Sequence, residues 1–218
     1  SLRSIKCNAT LNIALRAHSH TLMSSSYRIQ AATGIHRGDR EYQQDQVLLM
    51  AHPYAKGCIL GVVADGMGGR SGGRKASDQV MLTARQLFER FEHAKEDCTR
   101  MLSTIVQDAH TVIRLTAIAA EQEPHSTIAV FVVLPDSRCH FMHSGDSRLY
   151  HFRVSSLMHR SLDHSYVQAL VDRGELTETE AQHHPQSNIL LGCLGAEPPP
   201  PMSHHMIEKL LPGDSLMA

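Results

Sequence analysis

No two cysteines in this sequence stand near enough to form a Cys-x-x-Cys pair: Cys7, Cys58, Cys98, Cys139 and Cys193 are scattered along 218 residues. That spacing excludes a disulfide framework and a thiolate zinc site, and it is the usage of a reducing compartment, so a cytoplasmic location is expected. There is no excess of charge either, with 21 Lys plus Arg against 22 Asp plus Glu. A balanced chain has no long-range field to collect nucleic acid or an anionic membrane, so any anion it binds must be captured locally. No apolar run reaches the ~20 residues that a membrane-spanning helix needs. Acidic residues are missing from the first 38 positions, where Arg3, Lys6, Arg16 and Arg28 are basic and serine is frequent between Ser19 and Ser26. That pattern suits an organellar transit peptide, an unstructured leader or a translated segment upstream of Met23. Residues 1–26 are therefore expected to lie outside the fold, and residues 27–218 to form one domain, a length that buries around 70% of its unfolded surface in a single core.

What is present is ordered in blocks. Short runs rich in Val, Ile and Phe, bounded by turn residues, predict strands at Tyr27–Thr33, Gln46–Met50, Cys58–Ala64, Thr127–Leu134, Cys139–Ser144 and Leu149–Val154. Between the third and fourth, apolar residues recur three and four apart: Ala76, Val80, Ala84, Leu87, Phe88 and Phe91, then Leu102, Ile105, Val106, Ala109, Val112, Ile113 and Thr116. These predict two long helices that pack a core. Strands, a helix pair and strands again, with links as short as Pro135-Asp136-Ser137, point to antiparallel sheets covered by helices. From 155 to 195 a small helical flap is expected. Asp163-His164-Ser165 can cap one helix that Gly174 ends, and Thr177 with Glu180 has the spacing of a capping box for another. The four prolines from Pro198 to Pro201 predict a stiff turn or an extended link.

Three segments could carry chemistry. Gly61-Val62-Val63-Ala64-Asp65-Gly66 places a carboxylate and a glycine carbonyl at the end of a buried strand, the oxygen donors that a hard divalent cation takes; an ordinary Asp-Gly turn reads the same way. Arg40-Glu41-Tyr42-Gln43-Gln44-Asp45 sets an arginine, whose fork matches phosphate oxygens, and an aspartate able to orient a metal-bound water just ahead of a strand. His143-Ser144-Gly145-Asp146-Ser147-Arg148 puts a second aspartate in a tight turn. The dull readings of these last two are a solvated salt bridge and a hairpin turn.

Taken with Ser126-Thr127-Ile128-Ala129, Asp65-Gly66-Met67-Gly68-Gly69, Asp163-His164-Ser165 and the run His184 to Gly195, these segments resemble, in order, the metal-dependent type 2C protein serine/threonine phosphatases in their compact bacterial form. The resemblance covers the chain from about Tyr27 onward. It implies an α+β fold, a four-layer α-β-β-α sandwich of two mostly antiparallel sheets flanked by helices. It further implies that Asp65 bridges two Mn2+ or Mg2+ ions with the carbonyl of Gly66, that Arg40 holds the substrate phosphate, and that Asp45 acts through water. Asp146 would help bind a third, looser metal. Phosphoserine and phosphothreonine proteins would be the substrates, a cognate serine/threonine kinase a partner, and a monomer the working form. Gly68 and Gly69 are expected to let the loop run close to the ions.

Gln43 and Gln44 depart mildly from the family pattern. The run from Leu210 to Ala218 resembles the lead-in to a further metal aspartate, so the site is expected to lack two carboxylates, and a phosphopeptide-binding module with little or no activity is the alternative function. Sixteen histidines invite a rival, a transition-metal hydrolase or sensor. Against it, His183-His184 and His204-His205 are neighbours whose side chains point apart, and no His-Glu-x-x-His occurs. The glycines do not make a nucleotide site: they have neither the P-loop lysine nor Gly-x-Gly-x-x-Gly spacing.

Overall fold

The structure, a computed structural model, describes residues 9–17, 27–39, 41–120 and 123–218. Two five-stranded antiparallel sheets form its frame. One runs in the order β11 (Ser203–Ile207), β8 (Cys139–Ser144), β7 (Ile128–Val133), β4 (Ile59–Ala64), β3 (Gln46–Ala51). The other runs β10 (Ser156–Arg160), β9 (Tyr150–Arg153), β12 (Asp214–Met217), β1 (Ala9–Ala17), β2 (Tyr27–Ile35). A two-stranded piece, β5 (Gly66–Met67) with β6 (His125–Ser126), leads from the first sheet into the helix pair.

The period-two alternation of the central strands divides the core in two. Along β4 and β7, Leu60, Val62, Ile128, Val130 and Val132 are fully buried against the helices α1 (Gly69–Arg90) and α2 (Cys98–Ala120), where they meet Val80, Ala84, Phe88, Leu102, Ile105 and Ala109. Their alternates, Val63, Ala129, Phe131 and Val133, turn to the other sheet and pack with Phe141, Leu149, Ile207 and Leu216. Both faces of these strands are covered, which is why the strands read as continuous apolar runs. The rings of Phe131 and Phe141 meet edge on, 6.2 Å between centroids.

The class is α+β, as expected, and the six predicted strands and both long helices are present within a few residues. Several expectations need correction. Ala9–Ala17, placed in the leader, is a strand paired on both sides, Asn12 with Met217 and Ala32 among others. Its sequence, Ala-Thr-Leu-Asn-Ile-Ala-Leu-Arg-Ala, alternates with period two, a signal that the basic composition hid. Residues 156–160, assigned to a helical flap, form β10 and extend the sheet beyond β9. The flap's helices are α3 (Tyr166–Asp172) and α4 (Glu178–His183), the former capped by the Ser165 hydroxyl and the latter by the expected Thr177–Glu180 capping box. Among the described residues the two long helices cover the sheet that contains β4 and β7. Val112 and Thr116 are exposed although placed on the buried stripe: Thr116 sits one turn on and returns its hydroxyl to the Val112 carbonyl at 2.9 Å.

Histidines join the two sheets. His159 of β10 and His205 of β11 stack 3.6 Å apart, nearly parallel. Burial first, then the charges of His205, His151 and His143, hold His159 below the ordinary histidine value, and burial first, then His204 and His151, does the same for His205. A folded-state pKa below the unfolded one means that stability is complete above about pH 6.5 and is lost as the pH falls, because the unfolded chain takes up the protons first. Chemical denaturation midpoints should therefore drop between pH 6.5 and 5, and the drop should be shallower in a His159→Gln variant. Phe131→Ala should cost about 3–5 kcal/mol in urea unfolding, the range for emptying a buried aromatic site.

Candidate functional site

Ala64 is fully buried and Asp65, one residue on, is exposed: β4 ends where the chain leaves the core. Thr127 fixes that exit. The Asp65 amide donates to the Thr127 hydroxyl at 3.0 Å, and the Thr127 amide donates to the Asp65 carbonyl at 2.9 Å. The Ser126 hydroxyl reaches the same carbonyl at 3.2 Å. With its backbone held twice over, the Asp65 side chain is aimed at solvent by the sheet itself.

Asp146 comes to the same place from the turn between β8 and β9. Gly145 takes a positive φ of 101°, and a Cβ there would lie 2.7 Å from the Thr127 methyl group, so only glycine lets the turn close onto Thr127. Ser147 and Thr127 share a hydroxyl hydrogen bond of 2.6 Å. Burial on its inner side, then the carboxylates of Asp163 and Asp65, raise the pKa of Asp146 above the usual aspartate range. The structure thus brings Asp65 and Asp146 into one electrostatic neighbourhood, and their like charges repel.

The opening glycines work differently from expectation. Gly66 is buried, and a Cβ on it would fall 2.0 Å from the Gly73 carbonyl oxygen and 2.7 Å from that of Gln44. Gly68 has a φ of 121°, and a Cβ there would meet the Glu123 carbonyl oxygen at 2.1 Å. Backbone crowding alone is enough to exclude a side chain at both positions, so Gly68 needs no appeal to the ions; the side-chain position of Gly69 lies outside the described residues. Helix α1 then begins at Gly69, so the stretch is half loop and half helix.

The segment Gln43–Asp45 borders the site through the Gln44 carbonyl, which lies against Gly66. The Ser77 hydroxyl donates to the Gln44 carbonyl at 2.5 Å, and the Asp45 amide donates to the Gln43 side chain at 3.0 Å. Asp45 is half-buried just before β3. Arg40 lies outside the described residues. Asp163, read from the sequence as part of a helix cap and of the Asp163-His164-Ser165 motif but given no role in the site, is held by Arg148 through two contacts of 2.7 Å, beside Asp146. Thr127, Ser147 and Asp163 were missed as site residues, although each lies in a quoted motif.

The donor set fits a hard cation in part. Two repelling carboxylates at a sheet edge are relieved by positive charge between them. Among the described residues, however, no three His, Cys, Asp or Glu side chains are grouped closely enough to hold a metal alone.

A family model described as protein phosphatase 2C matches residues 34–190. The chain belongs to the protein phosphatase 2C family. It is 32% identical over 142 residues to the serine/threonine protein phosphatase PstP of Mycobacterium tuberculosis, which covers 63% of this chain and 27% of that protein. A putative 2C-type phosphatase of Streptococcus pyogenes is 31% identical over 170 residues, covering 74% of this chain and 66% of that one. The chain therefore spans from about a quarter to two thirds of the length of these curated relatives. The solved PstP structure from M. tuberculosis superposes with a TM-score of 0.69 at 26% identity, over 95% of this chain and 77% of that chain. A PstP catalytic domain of the same fold, 24% identical with a TM-score of 0.64 over 92% of this chain and 74% of that chain, has been solved with two manganese ions.

Gly66→Ala should disturb this family site more than its size suggests, because backbone atoms of Gly73 and Gln44 must move. Unfolding free energy should fall by more than the ~1 kcal/mol typical of a point substitution, and Gly73→Ala, whose Cβ would lie 2.6 Å from Gly66, should behave alike. Unchanged urea midpoints in both variants would remove the contact from the argument.

Proposed function

We propose that this chain is the catalytic part of a metal-dependent protein phosphatase that hydrolyses phosphoserine and phosphothreonine in other proteins. The observation that carries the reading is the convergence of Asp65 and Asp146, distant in sequence, on one exposed sheet edge with Asp163 behind them. Asp65, with the Gly66 carbonyl, is assigned to two Mn2+ or Mg2+ ions, and Asp146 to a third. When bound, such ions acidify a water for attack on phosphorus and neutralise the phosphoryl oxygens.

The chain's own groups do the rest. Thr127 holds the Asp65 backbone, so the carboxylate does not reorganise as charge builds. Arg148 occupies Asp163 with two hydrogen bonds, which fixes the Asp163 carboxylate beside Asp146. Asp45 is assigned to a water that bridges it to the site, and Arg40 to bidentate capture of the substrate phosphate. The serine/threonine kinase that makes the substrates is the functional counterpart. A reducing, cytoplasmic setting suits the free cysteines: burial pushes the thiols of Cys58 and Cys98 up to about 12, which leaves them inert at neutral pH. Among the described residues no helix is long and apolar enough to cross a membrane. The binding-only alternative has no observation in its favour.

Manganese-dependent hydrolysis of p-nitrophenyl phosphate is the expected activity, and Asp65→Asn should lower both turnover and manganese affinity, turnover by ~100-fold or more, since even residues that merely orient a metal ligand cost 10–100-fold. Hydrolysis indifferent to manganese and to that substitution would overturn the reading.

A further inference from the structure

Far from Asp65, three polar atoms of three different elements form a nearly equilateral triangle. The Nδ1 of His140 on β8 and the Nε2 of His204 on β11 are 3.3 Å apart. The hydroxyl oxygen of Thr99, in the first turn of α2, is 3.4 Å from the first and 3.3 Å from the second. Hydrogen bonds from N–H donors run from about 2.7 to 3.2 Å, so all three edges lie just beyond that range. A tetrahedral metal with bonds of 2.0–2.1 Å holds neighbouring ligand atoms about 3.3–3.4 Å apart, which is the edge observed. We propose that Thr99, His140 and His204 form a second cation site that takes a divalent transition metal of the imidazole-preferring class, with zinc as its representative.

The surroundings suit that occupant. Hard cations choose oxygen, whereas imidazole nitrogen selects zinc, copper and nickel. Burial, with the neighbouring His204 adding for His140, keeps both rings neutral, the form that offers a lone pair. Asp97, whose carboxylate caps α2 by accepting from the Arg100 amide at 2.7 Å, acts electrostatically on both rings in the direction that favours positive charge. His140 is 6% exposed and rigidly held, while His204 is exposed and leaves a path for the ion. The other ring nitrogen of His140, Nε2, is buried without a partner whichever nitrogen carries the proton, so metal at Nδ1 creates no new orphan.

The alternation of β11 makes this geometry available. His204 lies opposite Met142 and turns toward the helices, whereas His205 lies opposite Phe141 and turns to His159 in the other sheet. The adjacent histidines do point apart, and each finds a second histidine. With two imidazoles and a weak hydroxyl donor, one or two vertices fall to water, and the ion is exchangeable. Bound, it would tie the edge strand β11 to the start of α2 and stabilise the fold by mass action.

The test is calorimetric titration of zinc into the Asp65→Asn chain in excess magnesium, with melting temperature followed in parallel. One zinc per chain is expected, with a rise in melting temperature. His204→Gln, an exposed and therefore mild change, should weaken zinc by at least ~tenfold, the lower range for disturbing a metal's ligand shell, and should abolish the rise. His140→Gln should do the same and His159→Gln should not. Zinc affinity unchanged in His204→Gln, lost equally in His159→Gln, or absent from folded protein would each overturn the site.

Discussion

Thr127 is the residue on which the geometry of the candidate site rests. An antiparallel pair normally exchanges amide and carbonyl on both sides, but here the Asp65 amide is taken by a hydroxyl, while the Asp65 carbonyl is still taken by the Thr127 amide. The ladder of β4 and β7 thus continues one residue past its regular end and bends there. A valine would fill the same volume and leave the Asp65 amide without its acceptor, at a cost of about 1–3 kcal/mol. It would also release Ser147, whose hydroxyl shares that of Thr127. One side chain accordingly sets the exit angle of the strand bearing Asp65 and anchors the turn bearing Asp146.

The glycines complete the same construction from outside. Gly145 approaches the Thr127 methyl group, and Gly66 lies backbone to backbone against Gly73 in the opening turns of α1. Beyond them Ser126 exchanges both backbone hydrogen bonds with Leu194, at 3.1 and 2.8 Å, so the segment after the flap also closes on this corner. Three chain segments meet where two carboxylates face solvent. The repulsion between those carboxylates is tolerated because the backbone beneath them is over-determined, and folding is supplied elsewhere by the two apolar layers on either side of β4 and β7.

Local pattern made much of this legible. Helix stripes, strand runs and the Thr177–Glu180 capping box each depend on residues within one turn or one strand, and each was found. The misses are of another kind. β1 has a clear alternation, yet its basic, acid-free surroundings outweighed it, and only pairing with β2 and β12 makes it part of a sheet. The glycine run was explained by what a cation needs, whereas the crowding comes from Gly73 and Glu123, backbone neighbours that no spacing rule reveals. Thr127 and Ser147 stood inside recognised motifs without a role, because a hydroxyl's partner lies in another strand. Asp65 and Asp146 were readable as residues, and the resemblance already put both at one metal site; the hydroxyl and glycine contacts that bring them together were not readable.

Strand β8 would carry both of the proposed cation sites and keep them apart. His140 stands near its start and Asp146 in the turn just beyond its end, and at about 3.4 Å per residue the extended stretch from His140 to Ser144 alone spans roughly 14 Å. That exceeds the ~8 Å over which exposed charges interact at physiological ionic strength, so an ion at one end exerts little direct field at the other. The donor types reinforce the separation. Oxygen donors gather where the strand meets the loops, and imidazoles where it meets α2 and β11, so each end discriminates by ligand softness and not by total affinity. Any coupling between the ends would have to travel mechanically, through β8 and the β11 edge strand. β8 is buried along its whole length between two packed layers, which makes it a stiff element rather than a bistable one. On that ground the two sites are expected to load independently.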